Sequence, residues 1–137
     1  MKFNTKTRYG IRTIVEIALR GQEGIYQKEI ARNQNISFKY LDQIISALKA
    51  ADLIANVKGK KSGYVLKRPP EAILIYDVYQ AFNTGICIVE CLDGNFHCKA
   101  EYNCPTRFFW EGLNEVIIDY FKKYTVKDLV EKHKQNG

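Results

Sequence analysis

The first half of the chain carries three runs of apolar residues at helical spacing, and this pattern restricts the fold more than any other feature. Between residues 5 and 20, apolar side chains recur at steps of three and four, which predicts a helix that ends at Gly21. A shorter helix is predicted over residues 27–33 and a third over about 38–51. Ser37 has the right character to cap the third helix, because its hydroxyl can accept from an unpaired backbone amide. The chain therefore begins with a three-helix unit.

The segment after the third helix predicts a small β hairpin. Residues 53–57 and 64–66 are strand-like, and residues 58–63 between them form a basic tip bracketed by glycines. On the third helix, polar residues over 39–46 project away from the apolar side. Three helices followed by a basic hairpin is the layout of a winged helix-turn-helix, whose third helix enters the major groove of DNA. The predicted fold class is mainly α with a small β hairpin, a winged helix-turn-helix head followed by a long dimerisation helix.

The charge is divided unevenly along the chain. Residues 1–68 carry 14 Lys and Arg against 5 Asp and Glu, whereas residues 69–137 carry 7 against 10. Lys and Arg that neutralise phosphates gain affinity by releasing counterions, so a basic first half favours a polyanionic partner such as double-stranded DNA. A solvated basic surface is the alternative that charge alone leaves open.

The remainder of the chain predicts a connecting helix, a cysteine loop and a long helix. Pro69 and Pro70 mark the end of the head, because neither supplies a backbone donor. The predicted divisions are a head over 1–68, a connecting helix over 69–85 (about 74–82), a cysteine sensor loop over 86–104, a dimerisation helix and C-terminal segment over 105–130, and a flexible tail over 131–137.

The long helix, which Thr106 could cap and which runs to about Tyr124, has more apolar surface than one contact stripe needs. One side can pack on the head and the other on the same helix of a second copy, which predicts an isologous homodimer. A core helix of a monomer is the alternative.

Several classes of protein are disfavoured. The chain has no apolar stretch long enough for a membrane span and no apolar core of a signal peptide at its start, so we expect a cytoplasmic protein without a membrane partner. It has no Ser/His/Asp arrangement, paired carboxylates or glycine-rich phosphate loop, so we do not expect an enzyme. All four cysteines lie within 18 residues, a clustering more typical of metal binding or redox chemistry than of structural disulfides.

Several motifs resemble those of one bacterial family. They are Thr5–Arg12, Ile36–Gln43, Val57–Tyr64, Arg68–Glu71 and Tyr124–Leu129. These are similar to the signatures of the IscR-type (Rrf family) winged-helix transcription regulators, the IscR, NsrR and CymR group, and the resemblance covers nearly the whole chain. It implies a dimer with paired recognition helices in successive major grooves and wings at the flanking minor grooves.

The resemblance also implies which residues contact DNA. The residues at the family's base- and phosphate-contacting positions are Ser37, Lys39, Tyr40, Asp42 and Gln43, and the basic wing residues are Lys58, Lys60 and Lys61. Gln43 has the chemistry to pair with adenine, and Lys39 to bind guanine or phosphate. Where the family commonly has Glu, this chain has the shorter Asp42, a difference that bears on its DNA preference.

Cys91, Cys98 and Cys104 match the ligands of the cluster-binding members, with six and then five residues between them. The resemblance therefore implies an iron–sulfur cluster, either 2Fe–2S or 4Fe–4S, and a cluster usually needs a fourth ligand. Arg107 and Arg8 stand where relatives have a His or an acid, and neither ligates iron. The local candidates are Cys87, Glu90, Asp93, His97 and Glu101, of which Cys87 and His97 are favoured, and a residue of the partner chain or a small molecule is also open. A cysteine between two isoleucines is, however, more often a buried apolar filler.

Three functions remain open from the sequence. The first is a DNA-binding regulator that senses iron–sulfur status, redox state or nitric oxide through a cluster on the cysteine loop. The second is a cluster-free regulator that responds to thiol oxidation, sulfur metabolites, a small-molecule ligand or a partner protein. The third is a zinc-stabilised interaction module that never touches DNA.

Overall fold

The structure, a computed structural model, describes residues 3–89, 92 and 105–136, with the backbone alone for 60–62. The helices of this part are α1 Thr5–Arg20, α2 Gln27–Gln34, α3 Phe38–Ala50, α4 Ile75–Gln80, α5 Pro105–Lys123 and α6 Val126–Asn136. The strands are β1 Ile25–Tyr26, β2 Ile54–Val57 and β3 Lys60–Leu66. The fold is mainly helical with a small antiparallel sheet, which confirms the predicted fold class.

The first three helices begin and end at residues whose side chains or conformations suit those positions. Asn4 caps α1 by accepting from the Thr7 amide at 2.7 Å, and Ser37 caps α3 by accepting from the Tyr40 amide at 3.1 Å. Asn35 ends α2 in the left-handed conformation, with a φ of 54°. Asparagine tolerates this conformation better than most residues, so the chain can turn tightly from α2 into α3.

The sheet has the strand order β1-β3-β2, and all of its pairs are antiparallel. Tyr64 lies opposite Ile25 on one side and opposite Asn56 on the other. The β2–β3 register shifts between Asn56 and Val57, and Val57 pairs with Lys60. Strand β3 therefore begins earlier than the predicted 64–66 run, and the turn is reduced to Lys58 and Gly59.

Gly24 lets β1 approach the hairpin closely. A Cβ atom at this position would lie 2.4 Å from Val57 Cγ2 and 3.0 Å from the Tyr64 carbonyl oxygen. Its φ of 78° is also one that glycine adopts readily. Both observations explain a glycine immediately before β1.

Helix α1 lies at the centre of the hydrophobic core, with Ile14 and Ile17 fully buried. The other helices of the head, the hairpin, α4 and α6 all contribute residues to this core. They include Ile30, Leu41, Leu48, Leu53, Ile73, Val78 and Val126. Two backbone hydrogen bonds of 2.9 Å, Ile75 N–H to Tyr124 O and Val126 N–H to Ile73 O, join the start of α4 to the start of α6. The C-terminal helix is therefore part of the head's core.

Two boundaries in the second half differ from the sequence predictions. Helix α5 begins at Pro105, so Thr106 lies inside its first turn rather than at its cap. Residues 131–136, expected to belong to a flexible tail, form the last part of α6. Burial of Val126 and Val130 anchors that helix, and the Lys, Glu and Gln residues that follow are good helix formers. None of the described helices is both long and apolar enough to cross a membrane.

Candidate nucleic-acid interface

Helix α3 presents one polar side to solvent because its apolar residues are held in the core. Leu41, Ile44, Ile45 and Leu48 are buried. The predicted DNA-contacting residues Ser37, Lys39, Asp42 and Gln43 are exposed, and Tyr40 is half-buried. The structure therefore brings these five residues together on the first turns of one helix. Phe38, the first residue of α3, is apolar but 49 % exposed at the start of this face.

A cleft of about 470 Å³ lies between the N-terminal ends of α1 and α3. It is lined by Thr5, Tyr9, Asn35, Ile36, Ser37 and Tyr40. The rings of Tyr9 and Tyr40 meet edge to face at 6.2 Å, and the Arg12 guanidinium carbon lies 4.9 Å from the centre of the Tyr9 ring. Hydroxyl groups and a nearby cation suit this cleft to a phosphate group.

The turn between α2 and α3 is fixed by a buried carboxylate. Glu16 of α1, which is 8 % exposed, accepts hydrogen bonds from Asn33 Nδ2 at 2.5 Å and Gln34 Nε2 at 2.6 Å. Arg12 donates to the Gln34 side-chain oxygen at 2.8 Å and to its carbonyl at 3.1 Å. The two residues of α1 thus hold the end of α2, which sets where α3 begins.

The carboxylate of Asp42 is bonded to another helix, whereas the hydroxyl of Ser37 bonds within its own turn. Gln27, at the start of α2 and only 3 % exposed, donates from Nε2 to Asp42 Oδ1 at 2.5 Å. The Tyr64 hydroxyl donates to Gln27 Oε1 at 3.4 Å. Burial raises the pKa of Tyr64 above its ordinary value, which keeps this hydroxyl protonated as a donor.

The wing contributes Lys58, which is exposed at the turn of the hairpin. The side chains of Lys60 and Lys61 lie outside the described residues, so their role stays a prediction. At the base of the wing, Lys49 of α3 donates to Asn56 Oδ1 of β2 at 2.9 Å. Sequence patterns did not single out Gln27, Asn56 or Tyr64, because their roles depend on contacts between distant parts of the chain.

The predicted cluster ligands Cys91, Cys98 and Cys104, and the candidates Glu90, Asp93, His97 and Glu101, lie outside the described residues. Cys87 is described and is exposed, so the expectation that it is a buried apolar filler is wrong. Its neighbour Ile86 takes the buried position instead, at 7 % exposure. No group of three His, Cys, Asp or Glu side chains that could hold a metal ion occurs within the described part of the chain.

A buried asparagine on α5 holds the chain just before the three cysteines. Asn114, 9 % exposed, donates from Nδ2 to the Ile86 carbonyl at 2.9 Å and accepts from the Ile88 amide at 3.0 Å. The amide side chain therefore pairs with this segment as a neighbouring strand would. The apolar pattern of α5 did not reveal this role, although a lone asparagine among apolar residues could have suggested it.

The segment is also tied to the head. Tyr79 of α4 donates its hydroxyl to the Gly85 carbonyl at 2.9 Å, and burial raises the pKa of this phenol. Asn83 donates to Thr7 Oγ1 at 2.8 Å and accepts from Asn4 Nδ2 at 3.1 Å. Residues 83–85, just before the cysteine segment, therefore contact α1 and α4, and the start of the segment itself contacts α5.

The polar face of α3, the turn braced by α1 and the wing together define a winged-helix protein built to bind DNA. Comparison with known proteins gives the family: the chain matches the Rrf2 family, described as "Iron-dependent Transcriptional regulator", over residues 3–132. The chain belongs to this family and is a transcription regulator rather than an enzyme.

Relatives and solved structures agree with this assignment. The transcriptional regulator IscR of Erwinia tasmaniensis is 31 % identical over 131 residues, which cover 95 % of this chain and 79 % of the relative. The oxidized form of Staphylococcus aureus CymR is 30 % identical, with a TM-score of 0.77 and coverage of 96 % of this chain and 97 % of that one. The IscR of T. potens has a TM-score of 0.79 at 26 % identity, covering 99 % and 90 %.

Proposed function

We propose that this Rrf2-family regulator binds double-stranded operator DNA as a homodimer, and that its operator affinity depends on an iron–sulfur cluster held by Cys91, Cys98 and Cys104. The observation that carries the proposal is the attachment of the cysteine segment to α5. Asn114 holds Ile86 and Ile88 at one end of the segment. At the other end, Cys104 directly precedes Pro105, the first residue of α5. A change within the segment would therefore act on this helix.

The donor chemistry fits a cluster. Cysteine thiolates are the usual protein ligands of iron–sulfur clusters, and this segment has three of the four that a cluster usually takes. A bound cluster would supply a group that responds to iron supply, redox state or nitric oxide, as the family resemblance implies. Arg107 pairs with Glu111 at 3.0 Å and cannot replace the histidine that some relatives have at its position. Among the described residues, the exposed Cys87 is the candidate for a fourth ligand.

The outer side of α5 supports a homodimer. Phe109, Leu113, Val116 and Tyr120 recur at steps of four, three and four residues, and their exposed fractions are 61, 38, 62 and 59 %. This is the spacing with which two helices pack along a common seam. The opposite side of α5 already packs on its own chain, through the bonds of Asn114 to residues 86 and 88 and the contact of the Phe121 ring with Tyr79. A second copy of α5 is therefore the partner that the sequence of this stripe fits.

For DNA, we assign base contacts to Lys39 and Gln43 and phosphate contacts to Ser37, Tyr40 and the wing lysines Lys58, Lys60 and Lys61. Gln43 can pair with adenine through two hydrogen bonds, and Lys39 can donate to guanine or phosphate. Lys58 is placed at the tip of the hairpin, where it can reach the backbone beside the major groove.

A cluster-free regulator that senses thiol oxidation is the second candidate. It is favoured by one observation, the exposure of Cys87 next to the three-cysteine segment. An exposed thiol is accessible to an oxidant or to a second cysteine. This function predicts reversible disulfide formation without iron.

The test is anaerobic purification, followed by visible absorption and by iron and sulfide analysis before and after reconstitution. We expect iron and sulfide in the wild type and their loss in Cys98→Ser. With Cys87 as the candidate fourth ligand, Cys87→Ser should hold less iron and sulfide than the wild type, and an unchanged content would remove Cys87 from the ligand set. DNA affinity is then measured for both states on a duplex that the full-length protein selects from a random library. A protein that holds no iron even after reconstitution, or equal affinity in both states, would remove cluster sensing and leave the thiol alternative.

A further inference from the structure

A row of polar side chains runs from the last turn of α3, through the wing, back to the second turn of the same helix. Lys49, near the end of α3, donates to Asn56 Oδ1 of β2 at 2.9 Å. Asn56 lies directly opposite Tyr64 on β3, so the two side chains lie on the same side of the sheet. The Tyr64 hydroxyl donates to Gln27, and Gln27 donates to Asp42 in the second turn of α3. We call these five residues the wing–helix relay.

The relay runs from a cation to an anion, and its hydrogen bonds Lys49–Asn56, Tyr64–Gln27 and Gln27–Asp42 all point from the Lys49 end toward Asp42. The Lys49 ammonium is the first donor, and the Asp42 carboxylate is the last acceptor. Hydrogen bonds aligned in this way polarise one another, and those that include a charged group are the stronger ones. The Lys49 ammonium also lies 5.8 Å from the centre of the Tyr64 ring, a second contact between the same two elements.

The middle of the relay is buried, so its partners cannot readily be replaced by water. Gln27 is 3 % exposed and Tyr64 is 6 % exposed. A buried amide or hydroxyl that loses its partner retains the cost of its removal from water. Each of the two residues is therefore held in one arrangement, whereas Lys49 and Asp42 at the ends of the relay lie on the exposed surface.

The relay uses groups that would otherwise be available to DNA. Oδ1 of Asp42 accepts from Gln27, and Gln27 Nε2 also lies 3.5 Å from the Phe38 carbonyl in the first turn of α3. Gln27 thus contacts the first two turns of α3, the part of the helix that carries Lys39 and Gln43. A change in Gln27 would shift these residues relative to the wing without removing any DNA-contacting group.

We propose that Gln27 and Tyr64 are positioning residues for operator recognition, and that Asp42 acts mainly as their anchor on α3 rather than as a direct reader of a base. Through the relay, α3 and the wing engage DNA as one unit with a fixed spacing. The inference rests on the proposed contacts of α3 and the wing with DNA. It adds residues that do not contact DNA but control how strongly the protein prefers its operator over other sequences.

The experiment uses the whole protein with the same cluster content in every sample. The two probes are a duplex that the wild type selects from a random library and a scrambled duplex of equal length. The variants are Gln27→Met, Tyr64→Phe, Asp42→Asn and the double variant Gln27→Met/Asp42→Asn. Gln80→Met is the matched control, because Gln80 is exposed at the end of α4. Affinities for both duplexes, their salt dependence and the unfolding midpoint are measured for each protein.

We expect Gln27→Met and Tyr64→Phe each to lower the ratio of the affinity for the selected duplex to that for the scrambled duplex by about tenfold. This is roughly the effect of one buried hydrogen bond. The salt dependence should stay unchanged, since no phosphate contact is removed. The double variant should lose little more than Gln27→Met alone, because the two residues act through one bond. A purely structural role would lower the unfolding midpoint and leave the ratio intact in the folded fraction.

Two results would overturn the inference. One is an unchanged ratio in both Gln27→Met and Tyr64→Phe, which retains the aromatic ring and so tests the hydroxyl alone. The other is additive losses in the double variant, which would mean that Asp42 reads a base independently of Gln27. If the wild type selects no sequence from the library, the proposed DNA-binding function itself fails, an outcome distinct from the other two.

Discussion

Individual polar side chains hold the helix-turn-helix in place, and Glu16 is the buried acid among the described residues. Its two carboxylate oxygens accept from the side chains of Asn33 and Gln34. Hydrogen bonds to a charged group contribute more to stability than neutral ones, and a donor left unpaired adds a desolvation cost. The sequence places Glu16 between apolar positions of α1, so the local pattern did not distinguish it from a solvated glutamate.

We expect Glu16→Ala to lower the free energy of unfolding by about 2–4 kcal/mol, because two amide donors lose a charged acceptor. Urea unfolding followed by circular dichroism measures this loss. Glu23→Ala, at an exposed position in the turn after α1, is the control and should change stability by less than about 0.5 kcal/mol. Equal effects of the two substitutions would show that Glu16 contributes no more than a surface residue.

A second prediction concerns the side chain of Asn114. Asn114→Leu removes the acceptor for the Ile88 amide and the donor for the Ile86 carbonyl. We expect the Ile88 amide to exchange its hydrogen at least about tenfold faster, since local opening no longer breaks a side-chain bond. Hydrogen exchange followed by nuclear magnetic resonance checks this rate.

Asn136→Leu, near the exposed end of α6, is the control for Asn114→Leu. Unchanged exchange at Ile88 in Asn114→Leu would contradict the contact. It would also weaken the physical link that we propose between the cysteine segment and α5.

At the scale of elements, the sequence predicted α1, α2 and α3 nearly to their ends. Their apolar spacing is regular, and local signals such as Ser37 and Asn35 mark where they begin and end. The wing was predicted as a basic hairpin, but its register was not. The shift between Asn56 and Val57 depends on pairing with β3 and on the close approach of Gly24.

Sequence patterns did not predict the contacts between elements that are distant in the chain. The Gln27–Asp42 hydrogen bond joins α2 to α3 across a turn. The hydrogen bonds of Asn114 join α5 to residues 86 and 88, which lie 28 and 26 residues earlier in the chain. Neither follows from periodicity, because periodicity reports which side of a helix is apolar and not which partner it meets. Helix α6 likewise extends beyond its prediction because Val126 and Val130 are buried in a helix that packs on α1 and on residues 70–72, far away in the sequence.

The outer stripe of α5 gives a prediction about assembly. Leu113→Glu places a charge in the middle of the stripe formed with Phe109, Val116 and Tyr120. Burying an unpaired charge between two copies is costly, so we expect the dimer to dissociate at least about tenfold more readily. Sedimentation equilibrium across protein concentrations measures the change.

Glu115→Lys is the matched control, since Glu115 is exposed on α5 outside the stripe. It should leave the association constant close to that of the wild type. A wild type that stays monomeric at all concentrations, or a dimer that Leu113→Glu leaves intact, would refute this interface.

In the whole molecule, the two halves of the chain differ in net charge and in the candidate sites that they carry. The net charge is +9 over residues 1–68 and −3 over residues 69–137, by subtraction of acidic from basic residues. The basic half holds the candidate DNA interface, and the other half holds α5 and the cysteine segment. Because α5 contacts both the segment and, as proposed, the second copy, a change in the segment would alter the separation of the two α3 helices.

This coupling predicts a dependence on half-site spacing. Two recognition helices of a dimer meet successive major grooves when the half-sites lie about one turn, roughly 10.5 base pairs, apart. Each base pair added between half-sites rotates one relative to the other by roughly 34°, so the preferred spacing reports the separation of the helices. Affinity is measured on duplexes that keep both half-sites and vary only the spacer.

We expect the cluster-loaded protein and Cys98→Ser to prefer different spacers, with affinities that differ at least about fivefold at the better spacing of either one. Asn114→Leu should narrow this difference, because the cysteine segment would then act less directly on α5. Identical spacing profiles for the loaded and Cys98→Ser proteins would contradict coupling through helix separation. A difference that persists unchanged in Asn114→Leu would instead show that the signal reaches the head through residues 83–85, where Gly85 bonds Tyr79 and Asn83 bonds Thr7 and Asn4.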